Sequence, residues 1–267
     1  MALLSATAIT TTWAGAMHQG VNLLTEPAAW PRGVPYAAAL LAILGVHEMG
    51  HYVVARRRGV QTSLPYFIPA PIWLGTFGAF IKMGGPIRTR STYFDVGIAG
   101  PLAGLVVALA ALYAGMMLER PDLASGHGLA PGSSYLFAAL YQLAGGSDIT
   151  ATVRLGPVAF AGWLGLMVTA LNLVPVGQLD GGHIAYGALG PRLARHVSII
   201  VIALLVGGGL LLGSHFWMWG LLIWWIAGTT HPPAVHDSIP LDRGRKLLAA
   251  AMLVLLLAIV LPVPGVG

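Results

Sequence analysis

The sequence predicts an all-α polytopic membrane protein with six or seven transmembrane helices and one re-entrant, β-hairpin-like segment. Three observations predict it. Of 267 residues, 57% are hydrophobic and only 9% charged, with a mean hydropathy of +0.78, whereas soluble domains carry about 25% charged residues. The few charges sit between uncharged stretches long enough to cross a bilayer, which takes about 20 residues in a helix. One uncharged stretch, residues 59–81, is broken by Pro65, Pro69, Pro71, Gly75 and Gly78 and does not suit a helix. The net charge of +5 does not point to nucleic acid, because the basic residues lie between apolar spans. There is no cysteine, which excludes disulfides and thiolate metal sites and leaves the redox compartment open.

A single membrane domain over 1–267 is expected. Residues 1–25 are uncharged apart from His18 and lack a basic leader region, so they read as a first span. A turn-rich connection from Glu26 to Pro35 leads to a second helix over 34–55, stopped by Arg56-Arg57-Arg58-Gly59. Residues 65–85 form the re-entrant segment, with Leu74 to Met83 extended. Non-helical backbone at membrane depth requires cover from protein or water. An ordinary cytoplasmic amphipathic loop is the alternative. A third helix covers 93–118, and its Gly97, Gly100 and Gly104 allow close helix contact. Residues 119–155 form an extracytoplasmic loop in which Tyr135–Leu143 is too short to span. A helix-bearing stretch over 156–190 breaks around Asn172–His183. Spans at 197–213, 216–230 and 247–263 follow, the first two joined at Gly213-Ser214-His215.

Placing Arg56–Arg58 in the cytoplasm and alternating the spans puts eleven Lys/Arg inside. Only Arg32, Arg120 and Arg154 fall outside. That bias supports the topology.

The chemistry begins at His47-Glu48-Met49-Gly50-His51. Histidines four apart on a helix project from one face and reach one metal ion. Glu48 beside them is placed as a general base rather than a ligand. From Val34 to Ala55 these three are the only ionisable side chains apart from two tyrosines. Polar residues are costly in such a span, and that cost favours a site over a chance motif. A hydrolytic zinc takes three protein ligands and leaves a place for water. Asp180, in Leu179-Asp180-Gly181-Gly182, is the remaining acidic residue at membrane depth, although an N-cap is an equally ordinary use of an aspartate.

The pairing of HEMGH with the later Asn172-Leu173-Val174-Pro175 and Leu179-Asp180-Gly181 resembles the site-2 protease family of intramembrane zinc metalloproteases, over about residues 34–190. The resemblance implies Zn2+ bound by His47, His51 and Asp180, with Glu48 as catalytic base and Asn172 near the scissile bond. It likens the Gly75–Met83 stretch to the family's re-entrant β-element, so Gly75, Phe77, Gly78, Ala79 and Phe80 are expected to meet substrate. A compact branch is expected, without a PDZ insertion or a C-terminal regulatory domain. His231-Pro232-Pro233 resembles a feature of one subgroup; sequence supplies no role for it beyond a turn. His183 reads as a second-shell or structural histidine.

Hydrolysis in a bilayer requires local unwinding of a helical substrate, and an edge strand offers the unwound backbone partners by β-addition. The expected partners are a transmembrane protein substrate and the lipid bilayer, with no nucleic acid. The expected location is a prokaryotic cytoplasmic membrane, with the site towards the cytoplasm. A membrane metal-ion transporter and a catalytically silent relative are the rival readings. The spans at 93–118, 197–213 and 247–263 lack the further polar ligands that a transport path needs, and intact Glu48 argues against silence.

Overall fold

The computed structural model describes residues 2–71, 74–119, 121–123, 128–213 and 216–265. The expected turn at Ser214-His215 lies outside them. Nine α-helices run through the described residues: α1 (Ala2–His18), α2 (Val34–Arg57), α3 (Arg90–Leu118), α4 (Tyr135–Leu143), α5 (Pro157–Leu173), α6 (Asp180–Leu189), α7 (Pro191–Leu211), α8 (Phe216–Ala227) and α9 (Arg243–Val260).

Three apolar helical stretches are long enough to cross a membrane: Pro27–Arg57, Arg90–Leu118 and Pro191–Leu211. The apolar α5 and α8 are shorter, at 17 and 12 residues. By length and composition alone, three of the expected six or seven crossings are supplied among the described residues. The break expected around Asn172–His183 is present, with α5 and α6 as separate helices of 17 and 10 residues.

The helix α3 is the axis of the fold, with α2, α5 and α6 packed on it. Thr89 caps it by accepting from the Thr92 N–H. The core joins Ile43 of α2, Phe94, Leu105, Leu112 and Met116 of α3, Leu166 of α5 and Ile259 of α9. At one end Asp95 binds Arg245 (Nε–Oδ1 2.7 Å) and also pairs with Arg58, tying α2, α3 and α9 together. Ile200, Leu204, Trp224 and Trp225 of α7 and α8 are exposed, as suits faces that lipid covers.

Between α2 and α3 the chain forms paired strands. Strand β1 (Gln61–Thr62) pairs antiparallel with β4 (Met83–Gly84), and β2 (Tyr66–Pro69) with β3 (Thr76–Phe80), with a bulge at Ile68/Pro69. The turn of the second hairpin leans on α1: Thr10 Oγ1 donates to the Gly75 carbonyl at 2.6 Å. Gly75 has φ +80°, and a Cβ there would stand 2.4 Å from Thr11 Cα. Glycine is required on both counts. In the loop after α3, β5 (Asp122–Leu123) pairs with β6 (Val153–Arg154), and α4 docks on the end of α9 through Tyr135 N–H to Leu261 O.

Candidate metal centre

His47 and His51 lie one turn apart on α2, so their rings meet on the face that packs against α3. Their Nε2 atoms are 3.1 Å apart. The His51 Nδ1–H donates to the Val96 carbonyl of α3 at 2.8 Å, which leaves the Nε2 lone pair facing inward. The rings fit because α3 presents glycine below them. A Cβ on Gly100 would lie 2.1 Å from His51 Nε2, and one on Gly104 would lie 2.9 Å from His47 Cβ.

The start of α6 brings Asp180 to the same point. The N-cap of this helix is Leu179, with no side-chain capping bond, so the Asp180 carboxylate is not spent as a cap. Gly181 and Gly182 let the turn fold tightly over the helix start, since Cβ atoms there would lie 2.1 Å from Leu173 O and 2.2 Å from Gly177 O. Asp180 Oδ2 is 3.2 Å from His47 Nε2, and Oδ1 is 3.3 Å from His51 Nε2. A tetrahedral zinc with bonds of ~2.05 Å has edges of ~3.3 Å between ligand atoms. Edges of 3.1, 3.2 and 3.3 Å match that figure, and three ligands leave the fourth corner open. The donor set fits zinc.

Glu48 lies next to the pair, with a carboxylate oxygen within 4.8 Å of both histidine donors. All three side chains are buried. Asn172, near the end of α5, brings its amide nitrogen to 3.4 Å from His47 Nε2. A cavity of ≈ 230 Å³ opens over this cluster, and its wall includes Asn172, Gln178, Asp180 and His183. Ala79, Phe80, Ile81 and Met83 complete the wall on the hairpin side, and the Ile81 backbone lies against Glu48. The hairpin residues therefore divide. Ala79 and Phe80 reach the cavity; Gly75 faces α1 instead, Phe77 is 68% exposed and Gly78 has open space at its Cβ position.

Sequence reasoning did not find Val96, because a backbone carbonyl carries no side-chain signal. It read Gly100 and Gly104 only as helix contacts, not as the floor of the site. It also left the partner of His183 unknown: the His183 Nδ1 lies 2.6 Å from His231 Nε2.

Asn172→Ala is expected to lower turnover about 10²-fold while zinc content stays intact, since loss of one donor to a developing oxyanion costs on that order. Unchanged kinetics with a lower melting temperature would mean that the amide only serves the backbone around Pro175.

The sequence model of peptidase family M50 matches residues 35–213. The chain is 34% identical over 237 residues to the probable zinc metalloprotease EGY1, chloroplastic, of Arabidopsis thaliana, covering 86% of this chain and 43% of the relative. It is 34% identical over 235 residues to the rice protein of that name, Oryza sativa subsp. japonica, covering 85% and 40%. The probable zinc metalloprotease EGY2, chloroplastic, of A. thaliana matches at 31% over 241 residues, covering 87% and 42%. The chain thus spans less than half the length of these curated relatives.

Proposed function

The chain belongs to peptidase family M50, the site-2 protease family, and from that premise we propose that it is an intramembrane zinc metalloprotease. It hydrolyses a peptide bond in or near a transmembrane segment of a membrane protein. The observation that carries this reading is the convergence of His47, His51 and Asp180 within 3.1–3.3 Å, with Glu48 alongside, on apolar helices.

When bound there, zinc supplies a Lewis acid that lowers the pKa of water to about 7 and polarises a carbonyl. The chain supplies the rest. Glu48 accepts a proton from the attacking water and returns it to the leaving amine. The Asn172 amide donates a hydrogen bond to the oxyanion. His51 is held in its ligand tautomer by the Val96 carbonyl. Strand β3, beside the cavity, offers backbone groups to a substrate that has lost its own helical bonds.

In this reading the three long helical stretches cross the bilayer, the shorter helices complete a bundle of six or seven spans, and the β2–β3 hairpin is re-entrant. The side holding the Lys/Arg excess is the cytoplasm or its equivalent. The relatives are named as chloroplastic, which gives no support to a prokaryotic membrane in particular. Cysteine labelling checks the topology cleanly, because the chain has no native cysteine. A cysteine at position 57 should react only with reagent on the basic side, and one at Ser147, exposed in the loop before β6, only from the other. Swapped labelling rejects the arrangement.

A proline walk tests the role of β3. Single substitutions from Thr76 to Ile81 each delete one N–H, and proline is poorly tolerated in paired strands. Positions whose N–H faces the substrate should raise KM or abolish cleavage, their neighbours should be milder, and zinc should stay bound throughout. Six variants that all cleave normally would reduce the segment to a loop. The function itself is tested by comparing membrane-protein fragments in cells carrying the wild type or Glu48→Gln. Fragments that depend on intact Glu48 identify the substrate; identical fragment sets sink the protease reading.

A further inference from the structure

We infer that His231, in the loop after α8, is a positioning residue of this site: it fixes the ring of His183 so that the His183 Nε2 lone pair faces the cavity as a hydrogen-bond acceptor. What that acceptor meets rests on the protease reading above; the geometry does not.

Hydrogen-bond bookkeeping sets the two tautomers. His231 Nδ1 lies 2.7 Å from the Pro232 carbonyl, which only accepts, so this nitrogen carries the proton. A neutral His231 then has a bare Nε2. That atom is 2.6 Å from His183 Nδ1, so the His183 Nδ1–H is the donor. A neutral His183 has one proton, and Nε2 is left unprotonated. Burial keeps His231 neutral, pushing its pKa down to about 4.

The arrangement is built rather than incidental. The His231 ring stacks on Tyr186 at 4.1 Å and 11°, and meets Tyr93 edge-on at 4.4 Å and 82°. The Tyr186 hydroxyl accepts from the Ala234 N–H at 2.7 Å and donates to Asp237. On its other side the loop pairs with the segment before α3, Val235 N–H to Ile87 O and His236 N–H to Arg88 O at 3.0 and 2.8 Å. His183 is buried, follows Asp180 by three residues on α6, and is among the residues lining the cavity that holds His47, Glu48 and His51. Gly97 of α3 gives it room, since a Cβ there would lie 2.7 Å from His183 Cβ.

An imidazole acceptor in that wall takes an N–H or O–H donor. The donor is either a backbone amide of the unwound substrate or a water in the cavity. Sequence gives the distance between the two histidines as 48 residues and offers no hint that they meet.

The test uses the full chain in lipid nanodiscs. With ¹⁵N-labelled histidine, the wild type should show His183 and His231 both protonated at Nδ1. His231→Phe keeps the ring between the tyrosines and removes the acceptor. At unchanged zinc content it should lower kcat/KM about 10- to 100-fold, the range for losing a residue that orients another in a metal site. His231→Gln, whose amide oxygen still accepts, should recover part of the loss. The probe is a quenched-fluorescence peptide with an apolar span interrupted by a Gly-Pro pair. A rise in KM assigns the donor to the substrate amide, and a fall in kcat assigns it to water. A proton on Nε2 of wild-type His183, loss of zinc in His231→Phe, or wild-type kinetics in that variant overturns the inference. A wild type that cleaves nothing defeats the protease reading instead, and the tautomer measurement still decides this one.

Discussion

Glu48→Gln keeps one zinc per chain and loses cleavage. The expectation follows from the division of labour in the cluster. In the proposed assignment zinc is held by the three atoms at 3.1–3.3 Å from one another, contributed by His47, His51 and Asp180. Glu48 lies beside that triangle without being one of its corners. Glutamine has nearly the same shape, so the buried packing around α2 and Ile81 is preserved. It cannot take up a proton at any working pH, and general acid–base catalysis by one placed group contributes ~10²–10⁴-fold. Because the same carboxylate both receives and returns the proton, the loss falls at the upper end of that range or beyond. Zinc content by mass spectrometry and turnover of an apolar-span substrate, measured on one preparation, separate the cases. Retained proteolysis would falsify the assignment of the base. Loss of zinc along with activity would make Glu48 a ligand. A metal transporter would keep its transport in this variant, so the same protein also separates the two classes of function.

The parts of this site that sequence exposes are those where a costly residue stands in a cheap background. His47, Glu48 and His51 are conspicuous because the rest of the Val34–Ala55 stretch is apolar, and their four-residue spacing is a statement about helix geometry. Asp180 is conspicuous for the same reason, and the structure puts Leu179, not Asp180, at the cap position. The extended character of the segment after α2 was legible in its prolines and glycines, and the β2–β3 pairing follows it. Which face of that hairpin meets the site was not legible. A strand alternates, and register depends on the bulge at Ile68/Pro69, which no residue type announces. The break within 156–190 was legible too, in Asn172, Pro175 and Gly177, and α5 ends at Leu173 before α6 begins at Asp180. Least visible were contacts that depend on a missing side chain. Gly100 and Gly104 look like any small-residue stripe until the rings above them are placed.

The glycine floor under the His47 and His51 rings carries the second large effect. Gly100→Ala is expected to cost the protein its zinc and its activity while leaving it folded. On propensity alone the change is favourable, since alanine in a helix interior is worth ~1 kcal/mol over glycine. Packing reverses the sign. The added methyl would stand 2.1 Å from His51 Nε2 and 2.5 Å from Cδ2 and Cε1, against contacts of 3.4 Å or more for ordinary packing. The ring must therefore move by more than 1 Å. It is also pinned to α3 by the 2.8 Å bond from Nδ1 to the Val96 carbonyl, so it cannot move off without leaving that bond unmade. Any escape takes Nε2 out of the triangle with His47 and Asp180. A zinc site does not tolerate ligand displacements much beyond ±0.2 Å. Loss of one ligand in three should therefore exceed the ~100-fold upper range seen when only a supporting contact is removed. Gly208→Ala, on α7 with nothing near its Cβ position, is the control and should retain zinc and turnover. The checks are zinc stoichiometry and helical circular dichroism on both variants. A zinc-loaded, active Gly100→Ala enzyme would mean that His51 sits farther from α3 than this geometry has it, and that the floor of the site is not glycine.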